Sequence, residues 1–203
     1  MRLLGMKTFR HGVHPPESKD ETNGLPIRQV PFAPLLVIPL VQHMGAPSIP
    51  EVEEGQEVSR GQRIARADGF MSVSMHASAS GVVRKVALAP SITGRMVPAV
   101  YLEPFPGSTQ EVEYGTPCPL DSSTPDEIIA AIQDAGVVGL GGAAFPTHVK
   151  LKVPEGKYVD TLIINGVECE PFLTTDHRVM LEQADDIFMG IRYILKITGA
   201  KRV

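Results

Sequence analysis

Val52-Glu53-Glu54-Gly55-Gln56-Glu57-Val58, followed at once by Gly61-Gln62-Arg63-Ile64-Ala65-Arg66-Ala67, reads as short β-strands joined by glycine turns. A Glu-Gly turn sits between two β-branched residues. The second stretch alternates polar and apolar side chains with the period of a half-buried strand. Asp68-Gly69 predicts a hairpin turn, because such turns need positive φ. Met71-Ser72-Val73-Ser74-Met75 alternates again, and Gly81-Val82-Val83-Arg84-Lys85-Val86 is one more strand. Strands this short and this regularly spaced predict a small barrel or sandwich.

Upstream, residues 11–34 hold His11, His14, Pro15, Pro16, Pro26, Pro31 and Pro34. Proline removes backbone donors and disfavours helix at the residue before it, so this stretch predicts an extended arm. Leu35-Leu36-Val37-Ile38-Pro39-Leu40 is then a short apolar strand. His43 and His76 fall in β-rich text and read as structural or exposed.

Of 203 residues, 43% are hydrophobic and 21% charged, which is ordinary globular composition. Residues 1–100 hold 11 Lys and Arg against 8 Asp and Glu, while residues 101–203 hold 8 against 15. The net charge of −4 therefore hides two unlike halves, which suggests two domains. No run of eighteen apolar residues predicts a membrane span. Met1–Arg10 lacks an apolar signal-peptide core, and the chain is too acidic for a non-specific nucleic-acid binder. Cys118 and Cys169 alone cannot make a disulfide framework, a four-cysteine zinc site or an iron–sulfur cluster. A reducing location fits them best.

Downstream, Thr124-Pro125-Asp126-Glu127 predicts a helix start: Thr124 caps, Pro125 suits the first position and Glu127 completes a capping box. Ile128, Ile129, Ala131, Ile132 and Ala135 form the apolar stripe, and Gly136 is the stop. A helix over about 125–135 follows. Next comes Gly139-Leu140-Gly141-Gly142-Ala143-Ala144-Phe145-Pro146-Thr147-His148-Val149-Lys150. Successive amides in such a loop make an anion nest, and Lys150 is one turn past a helix start at Pro146. The other reading is a helix-to-helix connection whose glycines only pack. Walker A is absent. The nominal Gly-x-Gly-x-x-Ala of Gly139, Gly141 and Ala144 follows a helix, where a dinucleotide fold needs a strand.

Tyr158–Ile164 predicts a buried strand ending in Asn165-Gly166-Val167-Glu168-Cys169-Glu170-Pro171. Ligands of α/β folds gather at such strand ends. Glu168 and Glu170 point the same way if the backbone stays extended; a solvated acidic turn is the other reading. A metal set of Glu168, Cys169, Glu170, Asp176 and His177 matches no strong template. Thr175 or Asp176 then caps helical text to about Ile197, and Gly199 ends it. Lys201-Arg202-Val203 reads as the entry to a further strand, so more sequence is expected beyond it.

Glu54-Gly55-Gln56-Glu57-Val58, Gly61-Gln62 and Ser80-Gly81-Val82-Val83 resemble the barrel-sandwich fold of biotinyl and lipoyl domains. Those carry a modified lysine at the central hairpin tip. Here the tip is Ala67-Asp68-Gly69-Phe70-Met71, without the amine a swinging arm needs. The Gly139–Lys150 loop is similar to the FMN-binding loop of the NADH-oxidising flavoprotein subunit of respiratory complex I. Asn165–Pro171 is similar to that subunit's Asn-x-x-Glu-x-Glu-Pro segment. Leu140, Ala144 and Val167 depart from its Arg, Gly and Asp. Together with Phe9–Pro16 and Ile38–Pro47, the whole resembles the RnfC family, the C subunits of the Rnf complexes, which are ion-translocating ferredoxin:NAD oxidoreductases. A related cobalamin reductase shares the flavin loop without the arm and barrel.

The resemblance implies an extended arm (1–34), a barrel-sandwich β domain (35–104), a linker (105–123) and the first part of an α/β FMN/NADH-binding domain (124–203). It implies an electron-transfer enzyme subunit of the translocase type, peripheral on the cytoplasmic face of the cell membrane. Its partners would be the other subunits and NAD(H). Gly139, Gly141, Gly142, Ala143 and Lys150 would hold the FMN phosphate. Asn165 would contact the flavin or its ribityl chain, and Glu168 and Glu170 would line the flavin and nicotinamide pocket. No side chain acts as a catalytic acid or base, because the flavin carries the chemistry. Two 4Fe-4S clusters are expected only in sequence past Val203, and 1–203 alone is expected to bind FMN weakly or not at all. The alternative is a non-catalytic docking or assembly piece with an incomplete flavin site.

Overall fold

The computed structural model describes residues 15–140 and 142–203. His11, His14 and Gly141 lie outside them. The described residues divide into two compact units.

The larger unit, Val30–Leu162 with Gly190–Val203, contains the barrel-sandwich. β1 (Leu36–Pro39), β7 (Met96–Pro104), β6 (Gly81–Pro90) and β3 (Glu57–Val58) form one antiparallel sheet in that order. β2 (Ile49–Pro50), β4 (Arg63–Arg66) and β5 (Met75–His76) form the other. Burial over 63–66 departs from strict alternation: the neighbours Ile64 and Ala65 both have no exposed surface, Arg63 and Arg66 lie outside, and the register against β5 shifts between Arg63 and Ala65. Leu40, Val58, Ile64, Val83, Val100 and Leu102 fill the core between the sheets.

Two further expectations change here. Asp68-Gly69 does not form a two-residue hairpin, because β5 starts only at Met75. Residues 67–74 instead make a longer tip. Ser72, Val73 and Ser74 within it are buried through packing rather than strand pairing. The Gly81 strand is longer than its apolar text suggested. It runs on to Pro90, where Ser91–Arg95 turns it into β7.

Helix α1 (Pro125–Asp134) has the predicted cap. The Thr124 hydroxyl accepts from the Glu127 N–H at 3.3 Å, and the Glu127 carboxylate accepts from the Thr124 N–H at 2.7 Å. The Thr124 backbone and hydroxyl hold the Glu127 carboxyl below its usual range. A short α2 (Thr147–Leu151) follows.

The expected strand over 158–164 is reduced to one parallel bridge, Thr161 with Arg202, supported by Leu162 N–H to Arg202 O at 2.9 Å. A strand needs a partner along its length, and among the described residues Lys201 and Arg202 bond to Asp160–Leu162 alone. Tyr158 and Ile163 are accordingly 89% and 83% exposed rather than buried.

The smaller unit joins the arm up to Gln29 with Ile163–Met189. The arm holds a 3-10 turn at Lys19–Glu21. The single helix expected to Ile197 is two: α3 (Thr175–Glu182) and α4 (Ala184–Thr198). Gln183 adopts φ −134° and breaks the chain between them, and Asp185 and Asp186 then supply acidic residues to the first turn of α4. Gly199 terminates α4 as expected, with φ +71°.

Candidate functional site

The glycine-rich loop begins where α1 stops. Gly136 takes φ +74°, the left-handed conformation that ends a helix without steric cost in glycine. A Cβ there would stand 2.5 Å from the Ser74 carbonyl oxygen, so the same residue lets the helix end press on the barrel. The contact is reinforced on both sides. Gln133 donates to the Gly69 and Ser72 carbonyls, each at 2.9 Å. Asp134 accepts from Arg63 at 2.8 Å and Ser74 at 3.1 Å. Desolvation pushes the Asp134 carboxyl up, but these two donors outweigh it and hold it below the usual range.

Past Gly136 the chain folds back on itself. Val138 and Pro146 form an antiparallel bridge. Gly139 N–H donates to Phe145 O at 3.0 Å, Ala144 N–H to Gly139 O at 3.1 Å and Thr147 N–H to Val137 O at 3.0 Å. The loop joins α1 to α2 and is folded as a hairpin. Leu140, Gly142 and Ala143 are exposed at its tip. Ala144 sits at φ +50°, unusual for a non-glycine residue. Its carbonyl accepts from the Met44 N–H at 3.2 Å, which ties the strained residue to the barrel.

Lys150, on α2, returns to this hairpin. A Cβ on Gly139 would lie 2.7 Å from the Lys150 ammonium nitrogen. The ammonium thus lies close to the loop at Gly139, and an alanine there would displace only the flexible end of Lys150.

His148 has no exposed surface. Its Nε2–H donates to the Phe70 carbonyl at 2.7 Å, and its ring meets the Phe70 ring edge-on at 5.3 Å. The Lys152 ammonium lies 5.1 Å from the centre of the Phe70 ring. The lysine-free barrel tip thus supports the loop. Beside it, His43 Nε2 lies 2.9 Å from the Ala46 carbonyl, to which it donates. Burial lowers the His43 pKa, against the raising effect of that carbonyl, and nearby His148 lowers it further.

The acidic segment belongs to the smaller unit. The Asn165 Oδ1 accepts from the Val167 N–H at 2.9 Å, a side-chain turn that leaves its amino group as a donor for a hydroxyl. Glu168 is a helix cap: it accepts from the Asp176 N–H at 2.9 Å and the His177 N–H at 3.3 Å. Thr174 makes no side-chain bond to α3, so Glu168 supplies the missing acceptors. Desolvation raises its carboxyl, but those amides and the Lys19 charge outweigh it and hold it below the usual range. Glu170 is exposed. The two carboxylates therefore have unlike surroundings, and no strand pairing runs over 165–170 to align them.

The sequence candidates thus fall into two groups. Gly139, Gly142, Ala143 and Lys150 are in the larger unit, and Asn165, Glu168 and Glu170 in the smaller. His148 and Lys19 were missed. Their partners lie 78 and about 150 residues away, so no local pattern announces them.

Residues 7–105 match the RnfC barrel-sandwich hybrid domain, and residues 132–203 match the Nuo51 FMN-binding domain. The C subunit of the Na(+)-translocating ferredoxin:NAD(+) oxidoreductase complex of Acetobacterium woodii is 41% identical over 198 residues, 96% of this chain and 44% of that protein. The chain belongs to the RnfC family. The C subunit of the proton-translocating ferredoxin:NAD(+) oxidoreductase complex of Clostridium ljungdahlii is 42% identical over 97% of this chain and 43% of that protein. The C subunit of the ion-translocating oxidoreductase complex of Haemophilus influenzae (strain PittEE) is 38% identical over 96% and 30%. The chain spans less than half the length of these RnfC relatives.

The fold class follows: a barrel-sandwich domain, then the start of an FMN-binding domain. The RnfC loop fits the phosphate end of FMN. It offers the exposed residues Gly142 and Ala143 and the exposed Lys150 ammonium close to Gly139. No helix among the described residues is long and apolar enough to cross a membrane.

Proposed function

We propose that this chain is the FMN- and NAD(H)-handling part of an electron-transfer subunit in an ion-translocating ferredoxin:NAD oxidoreductase. The Lys150 ammonium against the Gly139 backbone carries the reading, since a cation and loop amides together suit a phosphate dianion. Gly139, Gly141, Gly142, Ala143 and Lys150 hold the FMN phosphate. Asn165 meets the flavin or its ribityl chain through its amino group, and Glu168 and Glu170 line the flavin and nicotinamide pocket. Bound FMN supplies the two-electron exchange with NAD(H) and the one-electron exchange with metal clusters. The chain's own residues bind and orient, and none has to move a proton. Two 4Fe-4S clusters belong to further sequence of the full-length protein. The other subunits of the complex are its partners, on the cytoplasmic face of the membrane.

Titration of the full-length protein with FMN and riboflavin tests this. Lys150→Ala is expected to weaken FMN about tenfold, the size of one charge-assisted contact, and riboflavin less than about twofold. Equal losses would remove the phosphate role. A full-length protein that ignores both FMN and NADH would favour the docking reading.

A further inference from the structure

Phe172 is the strained residue of the acidic segment. Its φ is +65°, a region that a bulky side chain enters only where its surroundings over-determine it. Those surroundings come from the far end of the sequence. The Phe172 N–H donates to the Glu17 carbonyl at 2.9 Å, and the Thr22 hydroxyl donates to the Phe172 carbonyl at 2.7 Å. Between them the Lys19 ammonium donates to the carbonyls of Glu168 and Leu173, both at 2.8 Å. Farther along, Arg178 donates to the Asn23 carbonyl at 3.0 Å, and the Ile27 N–H meets the Glu182 carboxylate at 3.1 Å.

The contacts bracket one turn. Lys19 joins the two carbonyls that flank it, Glu168 at the start and Leu173 at the end. Glu17 and Thr22 satisfy both backbone groups of the residue that bears the strain. An ammonium has three donors and needs no exact fork, so it suits converging carbonyls. Released from these bonds, Phe172 would relax toward negative φ and the 168–174 backbone would reorganise. Glu168 would then lose its position over the first amides of α3.

We propose that Lys19 is a positioning residue: with Glu17 and Thr22 it clamps the 168–174 turn in its strained form and so sets where Glu168 and Glu170 stand for NAD(H). The clamp is the arm's role in the protein, and its link to NAD(H) rests on the flavin reading above.

Hydrogen exchange and NADH kinetics on the full-length protein test it. Lys19→Met should speed exchange of the 168–177 amides about tenfold and leave amides of the barrel strands unchanged. Lys19→Arg, which keeps the charge and donors, should stay within about threefold of wild type. Phe172→Asn tolerates positive φ, and in the Lys19→Met background it should recover at least about half of the lost protection. For NADH oxidation, Lys19→Met should raise KM about fivefold or more with kcat within about twofold. Unchanged exchange at 168–177, or a uniform rise over the whole chain, would overturn the clamp. Faster exchange at 168–177 with unchanged KM would overturn its link to NAD(H). If the wild-type protein neither binds FMN nor oxidises NADH, the flavin reading falls, and the exchange data alone decide the clamp.

Discussion

The barrel and the segment from Ile163 to Met189 are built on opposite terms. In the barrel, Leu40, Ile64, Val83, Val100 and Leu102 lose all exposure. In the helical segment the apolar positions recur with the right spacing, yet no residue of α3 or α4 is fully buried, and Leu181 and Phe188 each stay 62% exposed. Periodicity selects a face, but burial needs a surface opposite that face. The barrel supplies its own in two facing sheets. The acidic segment is organised by polar bonds instead: the Asn165 turn, the Glu168 cap and the arm's contacts with Phe172 and Leu173.

The largest predicted effect sets the two regions directly against each other. Ile64→Ala should destabilise by about 2–5 kcal/mol in urea unfolding, whereas Phe188→Ala should change stability by no more than about 0.5 kcal/mol. Comparable losses would mean that the helical face is covered in solution. Next, Gly136→Ala forces a side chain into positive φ against the Ser74 carbonyl, at a cost of about 1–3 kcal/mol. If it melts like wild type, the α1–barrel junction yields more easily than its close approach implies. Thr124→Ala should cost about 1 kcal/mol by removing the α1 cap. A null result would assign the helix start to Pro125 and Glu127 alone.

A fourth test separates the regions by pH. Burial, the largest influence on both, keeps His43 and His76 below their ordinary value of 6.5, with Asp134 opposing it at His76. The unfolded chain then takes up protons first as pH falls. Stability should therefore be complete above pH about 6.5 and decline below it. Glu168, held below its ordinary 4.5, should contribute fully above that pH and lose its contribution only as pH falls further. Melting temperatures should decline from about pH 7 to about pH 5.5, with a shallower slope in His43→Gln. An identical slope in His43→Gln and His76→Gln would exclude the histidines. The smallest effect is expected from Gly139→Ala. It displaces only the flexible end of Lys150, so stability should hold while FMN affinity falls about threefold to tenfold. Unchanged affinity would argue that the cation's place at the loop is incidental.

Much of this was legible locally. The capping box at Thr124–Glu127 and the stop at Gly136 each depend on neighbours within a few residues, and each is present in the fold. The 158–164 strand and the single helix to Ile197 were misread for a common reason. Apolar spacing was right, but a strand exists only with a pairing partner, and a helix continues only if every residue keeps helical φ, which Gln183 does not. At the proposed site, the loop glycines and Lys150 stand out in the sequence by residue type. Their hairpin form was not visible.

The amino-acid sequence by itself determined the family, the start of α1 at Thr124 and its stop at Gly136, since caps and turn chemistry are short-range properties. Tertiary structure alone decided that His148 rests on the barrel tip, that Glu168 serves as a cap and that Lys19 reaches the acidic turn. The first and last of these pair residues far apart in sequence, and Glu168 caps α3 only because the 168–174 turn brings its carboxylate back to the helix start. Directional bonds of this kind depend on where the backbone passes in space, and no local pattern carries that information.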